Sequence, residues 1–250
     1  MSPIWPNTGR CWWSIFSLLA GGLISIVTPG QTGGTMSNLD HPDRCPTLAP
    51  LVPAIPGMAW TENRAAAVEL ASYGWPVLPG TYQLAEHGVW LGKHGAAGLE
   101  PASALWQVDT TTDPDVAMEW WTRRPYSVLL ACGVGVDAVE LFAPHGQCAL
   151  TQLSPPMRGP VAATPFGSWL FFVRSDDEPL RPELAATGHA QLHARGAWLP
   201  IPPTAREGLP YRWQVPPSEV GWVLPASADV QRVLVASLSH PADSARPSLT

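Results

Sequence analysis

The sequence predicts an α+β fold, a mixed or antiparallel sheet with flanking helices, and three observations carry that reading. Helical apolar spacing appears in three separated segments, each with a start or stop signal. Between them lie short apolar runs bounded by Gly and Pro, the pattern of strands and hairpins. Finally, 29 prolines and 22 glycines in 250 residues keep every element short, while a 46% hydrophobic share supplies a sizeable core.

In chain order, residues 11–27 form an apolar run without charge. It is short for a membrane span, which needs about 20 residues. The leading expectation for residues 1–35 is a mis-started or disordered extension, with a membrane anchor as the alternative. Residues 36–57 are proline-rich and read as a linker. A single domain is expected over 58–240, followed by a polar tail at 241–250.

Met58 opens the first helical segment, and Thr61 is expected to cap a helix running to residue 73, with Ala65, Val68, Leu70 and Ala71 as its apolar residues. Gly74 stops it. Residues 75–78 read as a strand. The irregular stretch 80–108 is long enough to be functional or disordered. Asp113-Pro114 is a strong helix start, because Asp supplies a cap oxygen and Pro suits the first helical position. Val116 with Trp120 and Ala117 with Trp121 are i,i+4 pairs, and Arg123, Arg124 and Pro125 end that helix.

Residues 127–132 and 134–141 read as strands broken at Gly133, and 147–153 as a short helix. The runs 161–164 and 169–174 bracket a hairpin turn, Pro165-Phe166-Gly167-Ser168. The runs 190–193 and 198–201 bracket Ala194-Arg195-Gly196 and are expected to form another hairpin. A short strand at 211–215 follows. Ser227 is expected to cap the last helix, with Val230, Val233, Leu234 and Leu238 on one face.

Charge and cysteine content narrow the function. Thirteen arginines and one lysine leave a formal charge of −6, which argues against a broad electrostatic grip on nucleic acid. Most of the 13 tryptophans are expected to fill the core rather than stack on bases. Cys11, Cys45, Cys132 and Cys148 form no CxxC pair. Free thiols in a reducing cytoplasm are expected. A zinc site on Cys132, His145 and Cys148 lacks a fourth ligand.

Asp137 and Glu140 stand out as two carboxylates on one apolar strand. Strand side chains alternate with a period of two, so a spacing of three puts them on opposite faces unless a bulge intervenes. A lone Asp at a strand end also suits the bland role of closing a turn.

Several segments then match one family in order. These are Gly74-Trp75-Pro76-Val77 after a helix, Thr111-Thr112-Asp113-Pro114 leading to Trp120-Trp121, and the Asp137 strand. The 167–172 hairpin, the 196–203 segment and Tyr211-Arg212-Trp213 follow. Over residues 60–222 the chain resembles the N-terminal domain of bifunctional DNA primase/polymerases, the prim-pol branch of the archaeo-eukaryotic primase superfamily. The resemblance implies an RRM-like catalytic core and two divalent metals, Mg²⁺ or Mn²⁺, held by acidic residues. It also implies a histidine near the nucleoside triphosphate and in-line attack of a 3′ hydroxyl on the α-phosphate.

Carried over by position, Asp137 matches one carboxylate of an Asp-x-Asp or Asp-x-Glu pair. Val139 and Gly135 stand where its partner would be, leaving Glu140 as the other catalytic and metal-ligand candidate. The hairpin histidine position falls on Ser168 or Trp169, and the third aspartate near Gln191. Arg174, His193 and Arg195 are candidate phosphate-facing groups. The expected function is binding of nucleotide or single-stranded nucleic acid with weak or no polymerase activity. An active primase/polymerase and a module that binds a protein partner are the alternatives.

Overall fold

The computed structural model of the protein describes residues 58–84 and 88–239. The expectations for the apolar run at 11–27, the 36–57 linker, the 241–250 tail, Cys11 and Cys45 lie outside these residues. In chain order the regular elements are α1 (Met58–Ser72), β1 (Val77–Gly80), α2 (Pro114–Arg123), β2 (Ser127–Ala131), β3 (Val136–Phe142) and α3 (Ala143–Gln152). They continue with β4 (Val161–Ala163), β5 (Ser168–Arg174), α4 (Pro182–Ala185), β6 (Ala190–His193) and β7 (Trp198–Pro200). The last are β8 (Ala205–Arg206), β9 (Leu209–Pro210), β10 (Arg212–Val215) and α5 (Ser227–Leu238). The fold is α+β, as expected.

Local chemistry explains the helix ends. α1 starts at Met58, so Thr61 lies inside its first turn and is not the cap. Its other end closes as a Schellman motif. Gly74 takes φ +79°, its N–H donates to the Ala71 carbonyl at 2.9 Å, and the Trp75 N–H donates to the Leu70 carbonyl at 3.0 Å. Asp113 caps α2 by accepting from the Asp115 N–H at 2.8 Å. The expected cap of α5 is displaced by one residue. Ala226 occupies the cap position, and Asp176 accepts from the Ser227 N–H at 3.2 Å. The Ser227 hydroxyl instead accepts from the buried Gln231 amide at 3.0 Å.

Two main sheets are present among the described residues. The first has the order β1-β2-β7, the second β10-β4-β5-β3-β6, and all these neighbours run antiparallel. Alternation along the strands divides the core. Val77, Leu130 and Leu199 on one face of the first sheet join Ala67 and Leu70 of α1, Ala117 and Trp121 of α2, and Ala138, Leu170 and Phe172 of the second sheet. The opposite face of the first sheet, with Leu78, Leu129 and Ala131, packs under Leu99, Trp90 and Trp106 of the long 81–112 segment. The opposite face of the second sheet buries Val139, Leu141 and Phe171 against Ala149 of α3 and Val230 and Leu234 of α5.

One expectation fails. The strands at 190–193 and 198–201 do not form a hairpin with each other. β6 pairs with β3 in the second sheet, and β7 pairs with β2 in the first. The Arg195-Gly196 turn carries the chain from one sheet to the other, because each short strand finds its pairing edge on a different long neighbour. Residues 132–135 carry the chain between the same sheets in the opposite direction. The two crossings are in contact: the Cys132 N–H donates to the Ala197 carbonyl at 2.9 Å.

Candidate active site

The site is built on β3, whose alternation sorts the two candidate carboxylates. Ala138 faces Phe172 and His193 on the neighbouring strands, and Glu140 faces Leu170 and Gln191. Residues directly opposite in an antiparallel pair share a face. Glu140 therefore lies on the side of Ala138, Phe172 and Leu170, the face that meets the first sheet's core. Asp137 is opposite Val173 and shares its face with Val139, on the α3/α5 side. The β3–β5 register is unbroken from Val136 to Phe142, so no bulge turns either residue. The structure does not bring Asp137 and Glu140 together.

Glu140 is held from both sides. His193, a diagonal neighbour on β6, lies with Nε2 2.7 Å from one carboxylate oxygen. Ser168, at the start of β5, donates its hydroxyl to the other oxygen and sits 2.8 Å from the Thr164 hydroxyl. The side chains of His193 and Glu140 are 12% and 27% exposed, so the pair is partly dry. Burial pushes the Glu140 carboxyl up, but the hydrogen bonds of His193 and Ser168 and the imidazole charge outweigh it, and its pKa falls below the ordinary glutamate value. Nearby, burial pushes the Tyr211 phenol up to about 12; the Arg206 charge opposes this and the Glu140 charge adds to it.

Such a low Glu140 pKa contributes stability that is present above the ordinary glutamate range and is lost as pH falls through the folded value. Glu140→Gln is expected to cost about 1–2 kcal/mol at neutral pH through its hydrogen bonds. The difference from the parent should shrink as pH falls below the ordinary glutamate range. Urea unfolding across that range measures it, and a pH-independent difference would mean that the carboxylate charge does not matter.

Asp137 closes a turn. Its Oδ1 accepts from the Gly133 N–H at 2.7 Å, and it is only 5% exposed. Burial raises its pKa; the Gly133 and Ser175 bonds counter this, and the charges of Asp176 and Asp177 add to the rise. The neighbouring Cys132 thiol is pushed up to about 12 by burial and by the Asp137 charge. A raised folded pKa contributes stability below the ordinary aspartate range and loses it as pH rises through the folded value. Asp137→Asn, which keeps an acceptor and drops the charge, is therefore expected to match or slightly exceed the parent in thermal stability at neutral pH. Asp137→Ala should lose about 1–2 kcal/mol, because the Gly133 N–H loses its side-chain acceptor. Equal losses in both variants would overturn the turn-closing role.

Arg174 ends β5 opposite Val136, on the Glu140 face, and Arg195 follows β6 in the sheet crossing. Both side chains are exposed, and neither enters an ion pair among the described residues. Gln191 is exposed on the edge strand β6. Ser168 was legible only as the place where a histidine was expected. Its bond to Glu140 is a product of the hairpin register.

The family model described as bifunctional DNA primase/polymerase, N-terminal, matches residues 67–228. The chain belongs to this family. No curated protein matches the chain. The prim-pol match begins within α1 and ends at the start of α5, so it spans both sheets and the Glu140 face.

Prim-pol chemistry implies divalent ions, and the donor set can be compared with that need. A hard cation takes several anionic oxygens at once. Here Asp137 points to the other side of the sheet, and both oxygens of Glu140 are engaged by His193 and Ser168. Among the described residues no group of three His, Cys, Asp or Glu side chains is arranged to hold a metal. Cys132 and Cys148 are free thiols, the first buried. As arranged here, Asp137 and Glu140 do not fit a two-metal cage. No helix among the described residues is long and apolar enough to cross a membrane.

Proposed function

We propose that this prim-pol domain binds nucleotide or single-stranded nucleic acid and does not extend a primer. The observation that carries the reading is the division of the two carboxylates between opposite sheet faces, with Glu140 hydrogen-bonded on both oxygens. A two-metal transfer needs anionic oxygens converging on one place. Arg174, at the far end of β5 on the Glu140 face, and Arg195, two residues past His193, are exposed, enter no ion pair among the described residues, and are the groups proposed to meet phosphate. The net charge of −6 keeps that binding modest and salt-sensitive.

The test has two arms. Nucleotide incorporation on a primed template with Mg²⁺ or Mn²⁺ is expected to give no product above that of Asp137→Ala. Sustained incorporation that this variant abolishes would restore the active-polymerase reading. In the second arm, a labelled single-stranded oligonucleotide is titrated at several salt concentrations. Binding should weaken with salt, and replacing Arg174 and Arg195 together should reduce the logarithmic slope by about 1.4. Salt-independent binding, or binding unaffected by their loss, removes the basis of the proposal.

A further inference from the structure

A cavity of about 270 Å³ lies at the edge of the first sheet, under the long 81–112 segment. Leu78 and Pro79 of β1 form one part of its wall, and Trp106, Trp120 and Tyr126 supply three aromatic side chains. Among the described residues Asp109 is the only charged one that lines it, and it is exposed. Its carboxylate is fixed by the Ser103 hydroxyl at 2.5 Å, and Ser103 itself accepts from the Leu105 N–H at 3.0 Å. Lys93, on the neighbouring stretch, is paired with Glu100 at 2.8 Å, so Asp109 enters no ion pair among the described residues. Gly92 keeps one side open: its φ is +99°, and a Cβ there would come within 3.3 Å of the Tyr126 and Tyr82 rings.

The chemistry of this lining is selective. Aromatic walls attract cations through the ring quadrupole, and a carboxylate at the rim adds to the attraction. The same carboxylate repels phosphate, and no basic residue among the described residues lines the cavity to offset it. The volume lies just below the ~300–1,000 Å³ range of drug-sized ligand sites, so it suits a group of a few heavy atoms rather than a whole nucleotide. We infer that this cavity binds a small organic cation of the methylated or quaternary ammonium class, with Trp106, Trp120 and Tyr126 around the methyl groups and Asp109 facing the charge. A free choline-like molecule and a methylated lysine side chain share this chemistry.

Calorimetric titration of the full chain tests it, with choline, tetramethylammonium, a trimethyl-lysine peptide, the neutral isostere dimethylbutanol and adenosine as probes. Saturable binding of the ammonium probes is expected, at least about ten-fold tighter than the isostere. Asp109→Asn and Trp106→Leu should each weaken it by about ten-fold. Preference for the peptide over choline identifies a lysine side chain as the natural group, and the reverse identifies a free molecule. Equal binding of the isostere would reduce the site to an apolar cavity. Binding of adenosine without any ammonium response would make it a base-stacking site, and absence of ammonium binding would likewise overturn the inference. Asp109 is exposed, so Asp109→Asn keeps the test decisive even where Trp106→Leu fails to fold.

Discussion

Gly133→Ala is expected to destabilise the domain by about 2–5 kcal/mol. Gly133 takes φ +91°, and an L-residue in that region costs about 1–2 kcal/mol. An added Cβ would also stand 2.3 Å from the Arg195 Cα and 2.8 Å from its backbone nitrogen. Backbone cannot rotate away as a flexible side chain can, so the two sheet crossings must separate, at a further cost of about 1–3 kcal/mol. Thermal unfolding should fall by roughly 10 °C for a domain of this size. Gly135→Ala is the built-in control. It shares a positive φ, +81°, but nothing lies within 4 Å of its added Cβ, so only the conformational cost applies. Equal losses in the two variants would rule out the close contact between the crossings.

Trp75→Ala is expected to cost about 3–5 kcal/mol. Trp75 is 1% exposed, and its ring centroid lies 5.2 Å from Phe172, 6.2 Å from Trp222 and 6.3 Å from Trp213. Removing the indole opens a void where α1, the second sheet and the 217–222 segment meet, and none of these rings can collapse into it without leaving its own contacts. Urea unfolding should show a lower midpoint at an unchanged slope. Loss of oligonucleotide affinity without loss of stability would instead give this tryptophan a base-stacking role. The same comparison applies to the wider expectation that tryptophans fill the core. Trp75 and Trp121 are fully buried, and the Trp121 indole donates to the Tyr126 carbonyl at 2.8 Å.

Much of the fold was legible because its signals are local. Asp113-Pro114 marks a helix start through cap oxygens and a fixed φ, both of which act within four residues. Gly74 marks a stop for the same kind of reason, a left-handed conformation that closes the α1 carbonyls. Boundary errors at Thr61 and Ser227 arose where a good capping residue stood one or a few positions inside the helix. At Ser227 a distant group, Asp176, took over the N–H. The apparent hairpin at 190–201 failed for a different reason. A turn flanked by two short strands specifies a reversal, but not which edges the strands then join.

The candidate site divides along the same line. The sequence alone places Asp137 and Glu140 on one strand and, from a spacing of three, facing apart; the unbroken register bears this out. It also determined the family, through the order of several individually weak segments that the prim-pol match spans. The sharing of Glu140 between His193 and Ser168, and the closing of the Gly133 turn by Asp137, emerge from the assembled fold. Those partners come from strands separated in sequence by tens of residues, and their approach depends on the register of β5 and β6 against β3. Periodicity along one strand fixes which face a side chain takes. Which groups meet it there is a property of the assembled sheet.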